Sequence, residues 1–311
     1  MKRKMLNVPK GGYDGMKGFT IVEFLVAGLL SIIVLIAVVS SYFTSRKLND
    51  AANERLAIQQ DLRNAATLIV RDARMAGSFG CFNMSEHTEK DVVFDVAQKN
   101  RPFSLKGSSA NKLIPIAESL NIGYQGFAQV RPALIFQYGI DDVNASAETT
   151  VVSSCGVISK PGKQIPTLED AKKELKIQNS GKEQNGNIAR QRHVVNAYAV
   201  GRIAGEEGLF RFQLDDKGKW GNPQLLVKKV KRMDVRYIYV SGCPEDAGKE
   251  EQFKYTDKFD KSRDVVTPAG VEVLLDSGLD AKIAASSDNS IYAYRINATI
   301  RGGNVCANRT L

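Results

Sequence analysis

The sequence predicts an α+β protein in which a long N-terminal helix, half transmembrane and half amphipathic, packs on a β-rich globular head with an antiparallel sheet. Three observations predict this class. Residues Phe24–Ser45 form a run of 22 residues without a formal charge. Apolar residues at helical spacing follow as far as Ala76. Beyond Ser78, short strand-like segments alternate with polar loops to the last residue, Leu311.

The uncharged run is long enough to cross a membrane. A helix spans a bilayer core with about 20 predominantly apolar residues, which predicts a transmembrane segment over about 19–43. Glu23 is the exception within it, because a carboxylate is expensive in lipid and indicates a function. A removable signal peptide or a plain signal anchor has the same basic flank. Against a signal peptide, the run is too long and ends near Ser45 without a small-x-small cleavage site.

The residues at the start of the run favour a different cleavage. Lys17–Glu23 reads K-G-F-T-I-V-E, which resembles the N-terminus of type IV prepilins and type II secretion pseudopilins at every position. The resemblance implies that prepilin peptidase cleaves between Gly18 and Phe19 and N-methylates Phe19. It also implies that Glu23 meets the N-terminal amine of a neighbouring subunit during assembly. Residues 1–18 would then be a cleaved leader.

The charge of the chain argues less for nucleic acid than its total suggests. The net charge is +9, and the leader contributes +4 of it through five basic residues and one acid, which leaves +5. Positive charge on the cytoplasmic flank of a span is what the positive-inside rule requires. The remaining basic cluster, Lys228–Arg232, has no aromatic residues interleaved for stacking. We therefore do not expect direct nucleic-acid binding.

The helix is predicted to continue to residue 77 as an amphipathic segment. The stripe that should pack onto the globular domain is Leu48, Ala52, Leu56, Gln59, Leu62, Ala66, Ile69, Ala73 and Ala76. The polar surface is assigned to Asn49, Asp50, Glu54, Arg55, Asp61, Arg63, Arg71, Asp72 and Arg74. Gly77 is suited to end the helix in a left-handed conformation.

The residues around this helix end carry a second resemblance. Arg74–Cys81 reads R-M-A-G-S-F-G-C, which resembles the PilW family of minor pilins, relatives of the J-type pseudopilins. Membership implies a role in initiating and assembling type IV pili, within a minor-pilin complex at the pilus tip. The implied partners are other minor pilins, the major pilin, prepilin peptidase and the inner-membrane assembly platform. The implied location is the bacterial inner membrane, with the head in the periplasm, and then the pilus at the cell surface.

Residues 78–311 are predicted to form one periplasmic or extracellular β-rich domain. The expected strands are Asp91–Val96, Ala133–Gly139, Thr149–Ser154, Val194–Ile203, Gly208–Gln213, Met233–Ser241 and Ser290–Ile300. Thr167 is typical of a helix start, with Ala171–Leu175 following. Residues 176–193 and 242–269 are rich in charged and small polar residues, which predicts long surface loops.

The four cysteines indicate an oxidising compartment. Cys81, Cys155, Cys243 and Cys306 lack the close-spaced pairs of a zinc site. An exported chain with an even cysteine count favours two disulfides, and four cysteines permit three pairings. We favour Cys81–Cys155 and Cys243–Cys306, because each would tie a peripheral segment to neighbouring strands. Buried free thiols are the alternative.

The sequence carries none of the common catalytic signatures. It lacks a nucleophile elbow, a P-loop, a zinc-protease motif and an EF-hand spacing. We expect no enzyme activity, no cofactor and no metal. Two alternatives to the minor pilin remain: a type II secretion pseudopilin, which shares the signature, and an uncleaved membrane-anchored adhesin or binding protein.

Overall fold

The computed structural model describes residues 18–93, 111–176, 187–242, 252–259, 267–276 and 294–303. The α-helices are α1 (Ile21–Met75) and α2 (Leu168–Glu174). The strands are β1 (Ser78–Phe79), β2 (Phe82–Asn83), β3 (Val92–Val93), β4 (Ile116–Ser119), β5 (Phe127–Gln129), β6 (Ala133–Ile140), β7 (Thr150–Ser153), β8 (Ile158–Ser159), β9 (Ala189–Ile203), β10 (Glu206–Leu214), β11 (Trp220–Lys228), β12 (Arg232–Gly242), β13 (Gln252–Thr256), β14 (Gly270–Asp276) and β15 (Tyr294–Thr299). The long N-terminal helix and the β-rich head with antiparallel sheets confirm the predicted fold class.

Helix α1 is continuous over 55 residues because its sequence contains no proline and a single glycine, Gly28. It ends where Gly77 takes a left-handed backbone with φ of 78°. A Cβ at this position would lie 2.9 Å from the Cβ of Pro115. The Gly77 amide donates to the Gln137 carbonyl at 2.8 Å, so the chain passes directly from the helix into the head. The predicted helix end is confirmed.

The chain divides into two compact units, Met1–Ala57 and Ile58–Leu311, and α1 contributes residues to both. In the first unit, every described residue from Gly18 to Ala57 is exposed. Among the described residues, α1 is the one helix long and apolar enough to cross a membrane, with a mean hydropathy of 2.9 in its most apolar window. By length and composition, its first part is therefore a candidate membrane anchor.

In the second unit, β9 is the central strand of a nine-stranded sheet. It pairs antiparallel with β5, β6, β7 and β10, and β10 in turn pairs with β11. The parallel pair β3–β8 extends the sheet beyond β7. A second, antiparallel sheet has the order β13-β12-β14-β15. The 15-residue length of β9 lets one strand serve as partner to four others.

The part of α1 in the second unit shares one hydrophobic core with both sheets. Ile58, Leu62 and Ile69 are each at most 4% exposed and belong to the same buried cluster as residues from the two sheets. The sheet residues of this cluster include Phe136, Tyr198, Val200, Leu209, Met233, Tyr237, Val271, Val273 and Ile296. Burial of such side chains is the main stabilising term of a domain, at roughly 25 cal/mol per Å² of apolar surface.

The structure corrects the predicted helix stripe. Leu62, Ile69, Ala73 and Ala76 are buried as expected, but Leu48, Ala52, Leu56 and Gln59 are exposed. The observed buried line is Ile58, Leu62, Ala65, Ile69, Asp72 and Ala76. Its steps of three and four residues average 3.6, the period of a straight helix. Leu48, Ala52 and Leu56 are exposed because they lie in the first unit, where every described residue is exposed. Gln59 and the half-buried Ala66 each lie one residue off the observed line. Asp72, assigned to the polar surface, is fully buried.

The strand predictions hold for most of the described head. Strands β6, β7, β9, β10, β12 and β15 overlap the predicted segments. Asp91–Val96 reduces to Val92–Val93 in the described part, and 94–96 and 290–293 lie outside the described residues. The two predicted loops were wrong in part, because β9 begins at Ala189 and β13 lies within 242–269. Strands β11 and β14 were missed, as were the short strands β1, β2, β4, β5 and β8.

The predicted helix start at Thr167 is confirmed. The Thr167 hydroxyl accepts a hydrogen bond from the backbone amide of Asp170 at 3.1 Å, which satisfies one of the free donors in the first turn of α2. The same Thr167 hydroxyl also donates a hydrogen bond to the Asp170 carboxylate at 2.6 Å.

Candidate functional site

The predicted cleavage junction lies immediately before α1. Gly18 and Phe19 precede the first helical residue, and the Phe19 side chain is 88% exposed. Apart from its chain neighbours, no described residue has an atom within 4 Å of where a Cβ on Gly18 would be. Lys17, the first residue of the motif, lies outside the described residues. The peptide bond between Gly18 and Phe19 is therefore on an open, non-helical stretch of chain.

Glu23 caps the N-terminus of α1 together with Thr20. The backbone amide and the hydroxyl of Thr20 each donate to Glu23 Oε2 at 3.0 Å. In return, the Glu23 amide donates to the Thr20 hydroxyl oxygen at 3.3 Å. This is a capping box, in which two free donors of the first turn are satisfied reciprocally. A negative charge here is also favoured by the helix dipole.

The capping arrangement leaves part of the carboxylate available. Both Thr20 donors go to Oε2, and among the described residues no donor contacts Glu23 Oε1. A carboxylate oxygen in this state accepts a strong, charge-assisted hydrogen bond from an ammonium group. Glu23 is therefore oriented by its own chain and open toward a cationic partner.

Two hydroxyl side chains on the apolar part of α1 are hydrogen-bonded within the helix, which suits a lipid environment. The hydroxyl of Ser31 donates to the Ala27 carbonyl at 2.8 Å, and that of Thr44 donates to the Ser40 carbonyl at 2.9 Å. Such bonds to the carbonyl four residues earlier satisfy polar side chains within the helix, where a bilayer offers no water. The large side chains over this stretch, such as Leu25 and Ile36, are each 64% exposed.

The strongest polar cluster in the head surrounds Asp72 of α1. Its carboxylate is fully buried and accepts hydrogen bonds from the strands beneath the helix. The donors are the Tyr138 hydroxyl at 2.8 Å, the Tyr198 hydroxyl at 2.6 Å, the Asn196 amide at 2.9 Å, the Arg71 guanidinium at 3.0 Å and the Arg211 guanidinium at 3.5 Å. These residues come from α1 and from the adjacent strands β6, β9 and β10. We call this set the Asp72 cluster.

The electrostatics of the Asp72 cluster are those of a buried anion held by neutral and cationic donors. Burial, followed by the charge of Asp72, raises the pKa of Tyr138 to about 12. The same causes raise the pKa of Tyr198 further. Both hydroxyls therefore stay protonated at neutral pH and remain donors. The arrangement fixes the position of α1 on the sheet, because a shift of the helix by one residue would leave the carboxylate and its donors unpaired.

Alkaline pH should weaken the head through these tyrosines. In the unfolded chain a tyrosine loses its proton near a pKa of about 10, and Tyr138 in the folded chain loses it near 12. Between these values the unfolded state binds fewer protons, so the free energy of unfolding falls as the pH rises. Burial and then the charge of Glu118 also raise the pKa of Tyr237. We expect Tyr138→Phe to make the loss between pH 10 and 12 shallower, with Tyr198 and Tyr237 supplying the remainder.

Denaturant midpoints of the wild type and of Tyr138→Phe, measured at steps of pH, test this expectation. At pH 7 the variant should lose about 1 kcal/mol for the missing hydrogen bond. The free energy of unfolding of each protein at pH 7 is the reference from which its alkaline loss is measured. An equally steep alkaline loss in both proteins would contradict the assignment.

A disulfide joins two turns of the head. Cys81 lies between β1 and β2, Cys155 lies between β7 and β8, and their sulfurs are bonded across a sequence separation of 74 residues. This is one of the two pairings favoured from the sequence. Cys243 and Cys306 lie outside the described residues.

Removing this bridge should lower stability substantially. A bond that closes a loop of this length contributes about 2–4 kcal/mol, mostly by restricting the unfolded chain. We expect Cys81→Ser/Cys155→Ser to unfold at a lower denaturant concentration by that amount, with the reduced wild type as the matched comparison. Equal midpoints for oxidised wild type and double variant would contradict a stabilising role.

The basic cluster Lys228–Arg232 comprises the last residue of β11, the connecting turn and the first residue of β12. Its four cationic side chains are exposed, while Val230 between them is fully buried. Arg232 is paired with Asp234 at 2.6 Å. Lys229 takes a left-handed backbone with φ of 62°, and its amide donates to the Glu207 carbonyl. The segment is thus a structured turn whose charged side chains face solvent.

Comparison with known proteins adds no assignment. A scan of the sequence against models of protein families and a search of curated proteins found no match.

The sequence predicted the residues at the start of α1 but not the Asp72 cluster. The junction Gly18–Phe19 and Glu23 lie together at the start of α1, as the motif requires. The Asp72 cluster was missed, although a signal for it exists. Asp72 is the one acid on the buried line of α1, and an acid at a core position predicts a buried partner.

Proposed function

We propose that this chain is a minor pilin of the PilW type, which helps to initiate and assemble type IV pili. The observation that carries the proposal is the sequence K-G-F-T-I-V-E at Lys17–Glu23, whose last three residues begin an exposed apolar helix. The capping of α1 by Glu23 supports it, because the motif's acid is held at the helix start with one oxygen open.

The proposed maturation creates the partner of Glu23. Cleavage by prepilin peptidase between Gly18 and Phe19 releases a new amino terminus, which is then methylated on Phe19 and carries a positive charge. In a filament, the carboxylate of Glu23 accepts a charge-assisted hydrogen bond from the terminal ammonium of a neighbouring subunit. Two opposite charges that are buried together offset part of each other's desolvation, whereas either one alone would not. The pairing therefore favours the subunit in the filament, where Glu23 has a partner, over the subunit in the membrane, where its charge is unpaired.

The proposed setting is the one that the resemblance to minor pilins implies. Before assembly, residues of about 19–43 span the bacterial inner membrane and the head lies in the periplasm. The inner-membrane assembly platform then extracts the subunit, which joins other minor pilins and the major pilin. The complex starts the filament and remains at its tip on the cell surface. The disulfide Cys81–Cys155 is consistent with a head in an oxidising compartment.

The K-G-F-T-I-V-E sequence fits a type II secretion pseudopilin equally well, so the test must separate the two. A strain that lacks this chain is compared with the wild type for sheared pili and for secreted exoproteins. We expect the pili to be lost, secretion to be unchanged, and complementation by the wild-type chain to restore piliation. Loss of secretion with normal pili would assign the chain to a secretion system. Loss of neither would favour an anchored envelope protein.

A further inference from the structure

A groove runs along the solvent side of α1 within the second unit. It has a volume of about 590 Å³ and is bounded by α1 and by Tyr294, the first residue of β15. Its floor is apolar, formed by Ala66, Val70 and Met75. Strand β15 is the last in the order of its sheet, so this groove lies at a sheet edge. We call it the α1–β15 groove.

Three arginines line the α1–β15 groove. Arg63, Arg71 and Arg74 project from one side of α1, and none of the described residues lining the groove is acidic. Arg63 and Arg74 are exposed, and neither has an ion-pair partner among the described residues. Two guanidinium groups without an ion-pair partner among the described residues, beside an apolar floor, favour a ligand that carries both carboxylates and apolar side chains.

The third arginine makes part of the groove pre-formed. Arg71 donates to Asp72 Oδ1 at 3.0 Å while its side chain remains 55% exposed. The Asp72 cluster therefore holds this guanidinium in place from beneath. Because the Arg71 side chain is already held in place, it loses less conformational entropy when a ligand docks.

The spacing of the arginines indicates the form of the ligand. Arg63 and Arg74 are eleven residues apart, which is about 17 Å along a helix. An extended chain advances about 3.3 Å per residue, so about five residues cover this length. A single phosphate or carboxylate cannot contact both ends. Tyr294 is the one aromatic residue among the described lining residues, whereas single-stranded nucleic acids stack successive bases on several aromatic side chains, so the apolar floor favours a polypeptide.

We propose that the α1–β15 groove docks an extended acidic and apolar segment of a neighbouring protein subunit. The identity of that neighbour as another pilus subunit rests on the proposed function. Arg63 and Arg74 bind the carboxylates, and the floor receives the apolar side chains.

The test begins with the full chain in detergent and a defined probe. The probe is a fluorescein-labelled 12-residue peptide of alternating glutamate and leucine, with lysine replacing glutamate in its control. We expect Arg63→Glu/Arg74→Glu to weaken acidic-peptide binding at least tenfold. Lys228→Glu/Lys231→Glu, which changes the net charge equally elsewhere on the head, should leave it unchanged. Equal binding by both variants, or tighter arginine-dependent binding of a single-stranded oligonucleotide, would overturn the proposal.

The second arm is incorporation into sheared pili in cells. Arg63→Glu/Arg74→Glu should be cleaved at Gly18–Phe19 like the wild type and enter filaments at least tenfold less than the lysine variant. Equal incorporation of the two variants would contradict docking in the α1–β15 groove but would leave the proposed membership of the filament intact. Failure of the proposed function is distinguishable, because the wild-type chain itself would then be missing from filaments.

Discussion

The Glu23→Ala chain should be cleaved normally and then fail to enter filaments, with incorporation reduced by about tenfold or more. Cleavage should persist because the Gly18–Phe19 junction is unchanged. Incorporation should fall because the terminal ammonium of a neighbouring subunit would be buried without its carboxylate. Glu23→Ala also removes the capping box with Thr20, so two controls are needed.

Glu23→Gln separates the charge from the cap. The amide keeps an acceptor oxygen for Thr20 and removes the negative charge, so it should fail nearly as completely as alanine. Thr20→Val keeps the charge and removes the hydroxyl of the capping box, so it should retain most incorporation. The amount of each variant in sheared pili, relative to its amount in membranes, is the measurement. Full incorporation of Glu23→Gln would contradict the pairing.

Asp72→Ala should lower the free energy of unfolding of the head by about 3–5 kcal/mol. The substitution leaves the hydroxyls of Tyr138 and Tyr198 and the amide of Asn196 buried without their acceptor. It also leaves the guanidinium of Arg211, whose side chain is 14% exposed, without its carboxylate. A loss of this size is a large part of the stability of an ordinary domain.

Asp61→Ala is the matched control, since Asp61 lies on the same helix and is only half-buried. It should change stability by no more than about 0.5 kcal/mol. Asp72→Asn should fall between the two, because it keeps one acceptor oxygen and loses the charge. Unfolding by denaturant in detergent, followed by far-ultraviolet circular dichroism, measures all three. A loss below about 1 kcal/mol for Asp72→Ala would show that the cluster does not hold α1 on the sheet.

The sequence predicted the elements whose signals are local. Helix α1 and its end depend on apolar content, the absence of proline and Gly77, all of which act within a few residues. Strand β6 and the part of β9 from Val194 onward stand out because they are mostly buried and predominantly apolar. The polar start of β9, from Ala189 to His193, gave no such signal and was predicted as a loop. Strand β13 was missed because its described residues are mostly exposed and polar, and its pairing with β12 supplies what its own sequence does not.

The parts that the sequence did not predict depend on contacts between distant segments. The stripe on α1 was placed one residue off at Gln59 and Ala66, about 100° around the helix, because the helix period and the heptad period diverge over several turns. Asp72 was assigned to the surface because it is charged, and its donors other than Arg71 come from strands 66 to 139 residues further along the chain. The α1–β15 groove requires β15 beside α1, which no local pattern indicates.

The candidate site at the start of α1 could be predicted from the sequence because its residues lie close together in the chain. Gly18, Phe19 and Glu23 lie within six residues of one another. The capping box was also readable, since Thr20 and Glu23 have the spacing of an N-cap residue and its partner.

The most direct test of the account is the intact mass and N-terminal peptide of the protein extracted from membranes. The account predicts a mature chain that begins at N-methylated Phe19, and the full-length precursor in cells without prepilin peptidase. A chain that keeps residues 1–18 in the presence of the peptidase, or one cut beyond Ser40, would contradict it.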